Sequence, residues 1–199
     1  MPAATATTLM ATLADLLDAL DAARDADEAL RRIDRCRREL VPGSIFSIQQ
    51  NVTTEDDPAG EIRLRRFYSS EAHRYPVNGA KRKTHTRWTD RLFRQGRVFV
   101  GEGTQVLARH FDDFEQMRPA GLCSVVNVPL LNGALCFATF NVFGIRERWQ
   151  PDEVLGIRLL ALAAARWVPV ASGLAYRFAA DAVPLDLPVL SLKAVSYTH

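Results

Sequence analysis

Two β-rich runs joined around an Asn-Gly pair constrain the fold of this chain more than any other part of its sequence. Residues 123–131 (CSVVNVPLL) and 134–143 (ALCFATFNVF) are dominated by β-branched, aromatic and other apolar side chains. Asn132-Gly133 between them is a favoured hairpin turn. The pattern therefore predicts an antiparallel hairpin.

The register of this hairpin decides which side chains share a face. A two-residue Asn-Gly turn would pair Ser124 with Asn141 and Val126 with Thr139. A slip of one residue would turn one strand over and expose the opposite set. We therefore prefer Ser124 and Asn141 as a pair of polar side chains on one face.

Further strands follow from alternation with a period of two. The pattern predicts strands at 44–52 (SIFSIQQNV) and 62–68 (IRLRRFY), separated by a turn-rich segment at 55–60. A shorter strand is predicted at 97–100. Residues 69–86 contain Pro, Gly, Asn and charge without periodicity, and we expect a long loop there. Loops of that length in a compact domain are usually functional or mobile.

The first 40 residues predict helices. Leucines recur at spacings of four and three in residues 7–22, which indicates an amphipathic helix with a narrow apolar seam. A second helical pattern runs from about residue 26 to 40. Asp25 is a candidate N-cap for it, and Glu28 would complete a capping box.

Three more helices are predicted further along the chain. A short one is capped by Thr86 or Thr89, and a second covers 104–117 with Thr104 as its N-cap. The third, 151–168, is apolar on nearly every side, so it should be buried or shared with a partner. Grouped strands with helices at both ends predict an α+β sheet with helices packed on one face.

Composition bounds the class of protein. The 199 residues are 48% apolar and carry a net charge of only +2, which predicts one substantial core and argues against a dedicated nucleic-acid binder. Three cysteines without metal-ligand spacing suit a reducing compartment and predict no metal site. Asp15 and Asp18 interrupt the N-terminal leucines, unlike a signal peptide, and no apolar run is long enough to span a bilayer. We expect a cytoplasmic protein with no membrane contact.

The order of these motifs resembles the GAF family of sensory domains. Family members typically show a strand ending in V-P-L, a return strand and a helix opened by an acidic pair. Here these are Val128-Pro129-Leu130, residues 134–143 and Asp152-Glu153 in WQPDEVLGIRLLALAA. The segment YPVNGAKRKTHTRWTDRLFRQGRVFV also resembles stand-alone bacterial members. Domains of the PAS type are the nearest confusable class.

The resemblance covers roughly residues 26–170 and implies a GAF-like (profilin-like) fold. Its six-stranded antiparallel sheet would carry the terminal helices on one face and a ligand pocket under loops and short helices on the other. Residues 1–25 would form an N-terminal amphipathic helix, and 171–199 a C-terminal extension or tail. GAF domains commonly dimerise through their terminal helices, and the leucine seam and the apolar 151–168 helix fit a homodimer. Packing of both helices on their own core is the alternative.

Charge is distributed unevenly along the chain. Residues 61–97 contain 11 Lys and Arg against three acidic residues, a net charge of +8. If this segment roofs the pocket, an anionic ligand is favoured, because clustered charge focuses the field at a cleft. A solvated basic face is the alternative. Lys81-Arg82-Lys83 with Trp88 could contact a nucleic acid, but no DNA-binding module accompanies them.

Seven residues are candidates for contact with a ligand. Those in the presumed roof include aromatic rings that can stack on a ligand, and those in the hairpin are polar side chains that need a partner if buried. The candidates are Tyr75, Arg87, Trp88, Ser124, Asn127, Thr139 and Asn141. The alternatives are that Trp88 anchors its short helix in the core and that the hairpin residues meet water at a strand edge.

Cys123 and Cys136 raise the alternative of a cysteine-dependent enzyme. One GAF branch reduces free methionine sulfoxide with cysteine thiolates. That branch places its nucleophilic cysteine further upstream of V-P-L and has carboxylates at positions that here are Val125, Asn141 and Phe143. We therefore expect no catalytic residues, and strand cysteines that serve as small apolar side chains.

No other motif identifies a cofactor or a reaction. The Cys-His pair of bilin attachment and the Asn-Lys-Phe-Asp-Glu motif of cyclic-nucleotide binding are both missing. The sequence leaves the cofactor unknown. We expect a non-enzymatic, homodimeric sensory module for a small anionic or aromatic metabolite. The rivals are the cysteine enzyme and a pure protein-interaction module with a collapsed pocket.

Overall fold

A six-stranded antiparallel sheet in the order β3-β2-β1-β6-β5-β4 organises the protein. The structure is a computed structural model that describes residues 2–175. The strands are β1 (Ile45–Asn51), β2 (Glu61–Ser69), β3 (Ala80–Thr84), β4 (Phe99–Glu102), β5 (Ser124–Asn132) and β6 (Leu135–Gly144). The α+β class and the six-stranded antiparallel sheet expected from the sequence are confirmed.

Three long helices cover one face of the sheet. They are α1 (Pro2–Asp21), α2 (Ala26–Leu40) and α6 (Pro151–Ala165). Leu30 and Ile33 of α2 and Leu160 of α6 are buried against Phe46 and Phe140 of the central strands. Burying side chains of this size stabilises a fold by about 1.5–3 kcal/mol each. This layer is the main core of the molecule.

Short helices and their connections cover the opposite face. They are α3 (Arg87–Thr89), continued by the π-helical turn Asp90–Arg94, then α4 (Thr104–His110), α5 (Phe114–Met117) and the 3₁₀ turn Arg118–Ala120. A second apolar cluster lies beneath them, in which Trp88, Phe93 and Phe111 pack against Val125 and Phe143 of the sheet. The candidate site lies on this side.

The helix ends follow their local sequence. The Asp25 carboxylate accepts a hydrogen bond of 2.7 Å from the Glu28 backbone N–H, which confirms the predicted N-cap of α2. Glu28 in turn accepts from the Arg24 backbone N–H rather than from that of Asp25. Pro151 begins α6, where its fixed φ suits the first turn of a helix. Asp152 and Glu153 in that first turn interact favourably with the positive end of the helix dipole.

The predicted register of the β5–β6 hairpin is wrong. The turn lies at residues 133–134, because Asn132 pairs with Leu135, and a bulge shifts the register between Leu130 and Leu131. Asn141 consequently pairs with Asn127, whereas Ser124 pairs with Gly144. One extra residue in a strand moves the side chains beyond it to the opposite face of the sheet from the one expected without it.

Two other predictions differ from the structure. The predicted loop 69–86 contains β3, whose sequence AKRKT lacks the apolar alternation of a strand. The predicted helix 104–117 is broken at residues 111–113 into α4 and α5, and Gly103 rather than Thr104 is its N-cap. Because of the break, the Phe111 side chain packs in the apolar cluster.

The tail predicted at 171–199 continues past the described residues, and its apolar segment at 185–192 lies outside them. Within residues 2–175, no helix is both long and apolar enough to cross a membrane.

Candidate functional site

A small cavity lies between the sheet and the short helices. Its volume is about 40 Å³, and it is lined by Ser47, Gln49, Leu64, Arg66, Lys81, Lys83, Trp88, Phe111, Asp113, Met117, Thr139, Asn141 and Phe143. A water molecule needs about 10–15 Å³ of such space. The cavity therefore has room for a few waters, and a metabolite would require it to open.

The floor of the cavity is a chain of hydrogen-bonded side chains. Trp88 Nε1 donates to Asn127 Oδ1 at 3.0 Å, and Asn127 Nδ2 donates to Asn141 Oδ1 at 2.6 Å. Asn141 Nδ2 then donates to the backbone carbonyl of Thr139 at 3.2 Å. All four residues are buried. This chain fixes the Trp88 ring over β5 and β6 and holds α3 to the sheet.

Two other floor residues are buried, and each has one side-chain oxygen that no described residue satisfies. Thr139 Oγ1 and Gln49 Oε1 have no hydrogen-bond partner within the described part of the chain, and their residues are 1% and 8% exposed. Leaving a buried polar group unpaired costs about 1–3 kcal/mol. Both line the cavity, so a polar group placed there would satisfy them.

Three cations line one side of the cavity. Arg66 comes from β2, and Lys81 and Lys83 lie two residues apart on β3. Burial lowers the pKa of the Lys81 ammonium, although the nearby Asp113 carboxylate opposes that shift. Burial also lowers the pKa of Arg66, whose Nε has no hydrogen-bond partner among residues 2–175.

The turn between α4 and α5 supplies acidic partners for both lysines. Lys81 Nζ lies 3.0 Å from Asp113 Oδ2, and Lys83 Nζ is hydrogen-bonded to Asp112 Oδ2. The pKa of Asp112 is lowered, chiefly by that hydrogen bond. The roof of the cavity is therefore tied to β3 by two adjacent ion pairs.

A second, smaller void of about 20 Å³ adjoins the first. Arg66 and Met117 contribute to both voids, and Tyr75 lines the second. Tyr75 donates from its hydroxyl to the Gln116 carbonyl at 3.3 Å, and the Arg66 guanidinium lies 5.7 Å from its ring centroid. Movement of the flexible Met117 side chain would join the two voids.

The predicted site residues divide into four groups by position. Trp88, Thr139 and Asn141 line the main cavity, Asn127 supports Trp88 from beneath, and Tyr75 lines the second void. Ser124 lies on the opposite face, where its hydroxyl is 3.5 Å from the Gly144 carbonyl. Arg87 is exposed and is not among the lining residues.

The seven candidate ligand contacts chosen from the sequence did not include the polar lining of β1, β2 and β3. These residues are Ser47, Gln49, Arg66, Lys81 and Lys83. The alternation of side chains along each strand could have identified them, because residues two apart on a strand share a face. The basic segment contains eight further cations, and several are paired elsewhere: Arg63 with Asp57, Arg82 with Asp57 and Glu61, and Arg94 with Asp90.

The three cysteines are all buried. Burial raises the pKa of the Cys36 and Cys136 thiols to about 12, and raises that of Cys123 as well. A thiolate is the reactive form of cysteine, and reactive cysteines generally have lowered pKa values. These thiols therefore have the surroundings of structural cysteines.

No protein-family model matches the sequence, and no curated protein matches it significantly. Solved structures do match the fold. The GAF domain of a phosphoenolpyruvate-protein phosphotransferase from Coxiella burnetii aligns with a TM-score of 0.63 at 13% identity, over 81% of this chain and 93% of that one. The A. aeolicus nlh2 GAF domain aligns at 0.59 and 11% identity, over 82% and 96%.

A longer structure shares the same architecture. The chromophore-binding domain of a bacteriophytochrome from R. palustris aligns with a TM-score of 0.58 at 7% identity, over 81% of this chain and 60% of that one. At such identities the likeness concerns the fold alone. The strand order, the two helical layers and these alignments together show that this chain has the fold of a GAF domain.

Proposed function

We propose that this protein is a sensory domain that binds a small anionic molecule in the cavity between β1–β3, β6 and the short helices. One observation carries the proposal: unpaired buried polar atoms and three cations converge on a single cavity. Gln49 and Thr139 supply the polar atoms, and Arg66, Lys81 and Lys83 supply the charge. Specificity of small-molecule sites usually comes from a few such groups in a mostly apolar wall.

Binding would require the roof to move. Ligand pockets commonly enclose about 300–1,000 Å³, far more than the 40 Å³ cavity of this structure. The parts that cover the two voids, and that would have to shift, are the turn at 111–113, α5 with Met117, and the connection that carries Tyr75. A ligand that binds only the open form would shift the population toward it.

We propose that the domain acts as a homodimer through α1 and α6. Leu17 and Leu162 are 60% and 72% exposed, and Met10 and Leu155 lie seven residues away from them on the same two helices. The helices run parallel, since Leu9 approaches Gly156 and Arg166 donates to the Leu20 carbonyl. These four exposed apolar side chains, hereafter the α1/α6 stripe, would suit contact with a second copy.

Native mass spectrometry of protein purified from its own host would test for a retained small molecule. Thermal-shift screening of anionic metabolites would then show whether stabilisation grows with ligand concentration, as selective binding to the folded state requires. A protein that retains nothing and responds to no anion would contradict the proposal and favour an interaction module.

The Thr139→Val variant separates binding from folding. Valine has nearly the same shape but lacks the unpaired hydroxyl, so the ligand-free variant should be at least as stable as the wild type. Its response to the ligand should nevertheless be lost or strongly reduced. Thr104→Val, on the exposed first turn of α4, is the matched control and should respond like the wild type. An unchanged response in Thr139→Val would place the ligand elsewhere.

A further inference from the structure

Two adjacent carboxylates pair with the lysines on the cationic side of the cavity, and one of them, Asp113, lines it. Asp112 and Asp113 bond to Lys83 and Lys81, respectively. The two lysines share a face of β3, with Cα atoms about 6.6 Å apart, as expected two residues along a strand. The carboxylates come from the turn between α4 and α5, which belongs to the roof rather than to the sheet.

The fit of this carboxylate pair is incomplete. The Asp112 side chain is 81% exposed, although the Lys83 side chain that it meets is only 9% exposed. Asp113 Oδ1 is buried and, among residues 2–175, has no hydrogen-bond partner. Around the same cavity, no described residue pairs with Arg66 Nε, Gln49 Oε1 or Thr139 Oγ1. The aspartates neutralise two cations without using the other groups that the cavity offers.

We propose that Asp112 and Asp113 are an intramolecular stand-in for a dicarboxylate ligand, which binds by replacing them on Lys81 and Lys83. This rests on the proposed function and names the class of molecule that the site takes. Two separated cations match two separated carboxylates better than one compact phosphate. The remaining unpaired groups, Arg66 above all, would add contacts that the aspartates do not make.

The exchange preserves the local charge. Three cations face two carboxylates before binding, and they face the two carboxylates of the ligand afterwards. Binding therefore does not change the net charge around the cavity, and each lysine keeps a carboxylate partner, as buried charges require. Displacement of the two aspartates releases the turn, so ligand binding changes the conformation of residues 111–117.

Isothermal titration with succinate and glutarate would test the proposal, with butyrate and inorganic phosphate as comparison probes. We expect a dicarboxylate to bind the wild type more tightly than either probe. Asp112→Asn together with Asp113→Asn removes the competing charges, so its dicarboxylate Kd should fall about fivefold or more, as expected for coupled equilibria. The control pair Asp56→Asn and Glu147→Gln removes two exposed carboxylates elsewhere and should leave the Kd unchanged.

Hydrogen exchange gives an independent readout. Amides in residues 111–117 should exchange faster when the dicarboxylate is bound, whereas a lid that simply closes over a ligand would become more protected. If the double variant does not fold, Asp112→Asn alone serves, because its side chain is mostly exposed.

Three results would overturn the stand-in role: no dicarboxylate binding, equal affinity in the aspartate variants, or greater protection of residues 111–117. A different anion that stabilises the wild type but not Thr139→Val would still uphold the proposed function. Failure of the inference is thus distinguishable from failure of the function on which it rests.

Discussion

Buried polar side chains on the cavity face fall into two kinds. Asn127 and Asn141 use their amides in one continuous chain that begins at Trp88. Thr139 Oγ1 and Gln49 Oε1 lie nearby and have no hydrogen-bond partner among the described residues. The first kind holds α3 on the sheet, and the second is available to a ligand. Residue type alone could not separate them, because the side chains of Asn, Gln and Thr can all donate and accept hydrogen bonds.

The cysteines give a prediction at the same scale. Unfolded cysteine has a pKa of about 8.5, whereas burial raises the pKa of Cys36 and Cys136 to about 12. The stability that comes from burying these neutral thiols is complete below the unfolded pKa and is lost as pH rises toward 12. We therefore expect the free energy of unfolding to fall over that range, and less steeply in a variant with both cysteines replaced by alanine.

Labelling kinetics with a thiol reagent would check the same surroundings. The rate in the folded protein should keep rising with pH above 9, because no thiol is ionised near neutrality. A plateau near neutral pH that disappears in Cys123→Ala would instead indicate an activated thiolate. That outcome would restore the alternative of a cysteine-dependent enzyme.

At the scale of elements, the sequence predicted the position of the hairpin but not which of its side chains lie on each face of the sheet. The β-rich runs and the turn residues predict two paired strands, which the structure contains as β5 and β6. The facing depends on the bulge at Leu130–Leu131, and that irregularity has no short-range signature in the sequence. Ser124 was for that reason assigned to the wrong face. β3 was missed because its charged side chains find their partners on other elements.

The end of β6 offers a test of packing between elements. A Cβ added at Gly144 would lie 2.8 Å from Trp149 Cη2 and 3.0 Å from Ser124 Oγ. Gly144→Ala should therefore lower the free energy of unfolding by about 1–3 kcal/mol, the usual cost of overpacking. In Gly79→Ala the nearest heavy atom is 3.8 Å away and the site is exposed.

Urea denaturation of both glycine variants would measure the difference. We expect the Gly79 variant to stay within about 0.5 kcal/mol of the wild type, as exposed substitutions usually do. Equal stability of the two variants would mean that the turn carrying Trp149 moves freely away from β6.

At the scale of the whole molecule, residues 2–175 form one sheet with a layer of long helices on one face and a layer of short helices on the other. Fold class and helix layer were predictable, because they follow from patterns repeated over many residues. The six-stranded sheet was implied only by the family resemblance, since the patterns themselves predicted no strand at β3. The cavity was not, because it is assembled from alternate residues of four strands and from a turn far along the chain. Strands β1 and β6 border both layers, so a change on the cavity side has a direct route to α1, α2 and α6.

Assembly can be tested at this scale. If the α1/α6 stripe joins two copies, Leu162→Lys places a charge in an apolar interface and should weaken dimerisation about tenfold or more. Leu131→Lys, at the 44% exposed tip of the hairpin, is the matched control. Sedimentation equilibrium would report both. A monomeric wild type, or a Leu162 variant that dimerises normally, would contradict the proposed interface.

The charge of β3 has a further consequence. Within the described residues, β3 and the four-residue β4 are the two edge strands of the sheet. An open edge exposes backbone groups to which another chain can add a strand, and proteins discourage this with lysines and with short strands. On the edge strand β3, the charged side chains that discourage such pairing are Lys81, Arg82 and Lys83. By this reasoning, neutralising the lysines of β3 should lower the solubility of the protein as well as remove charge from the cavity.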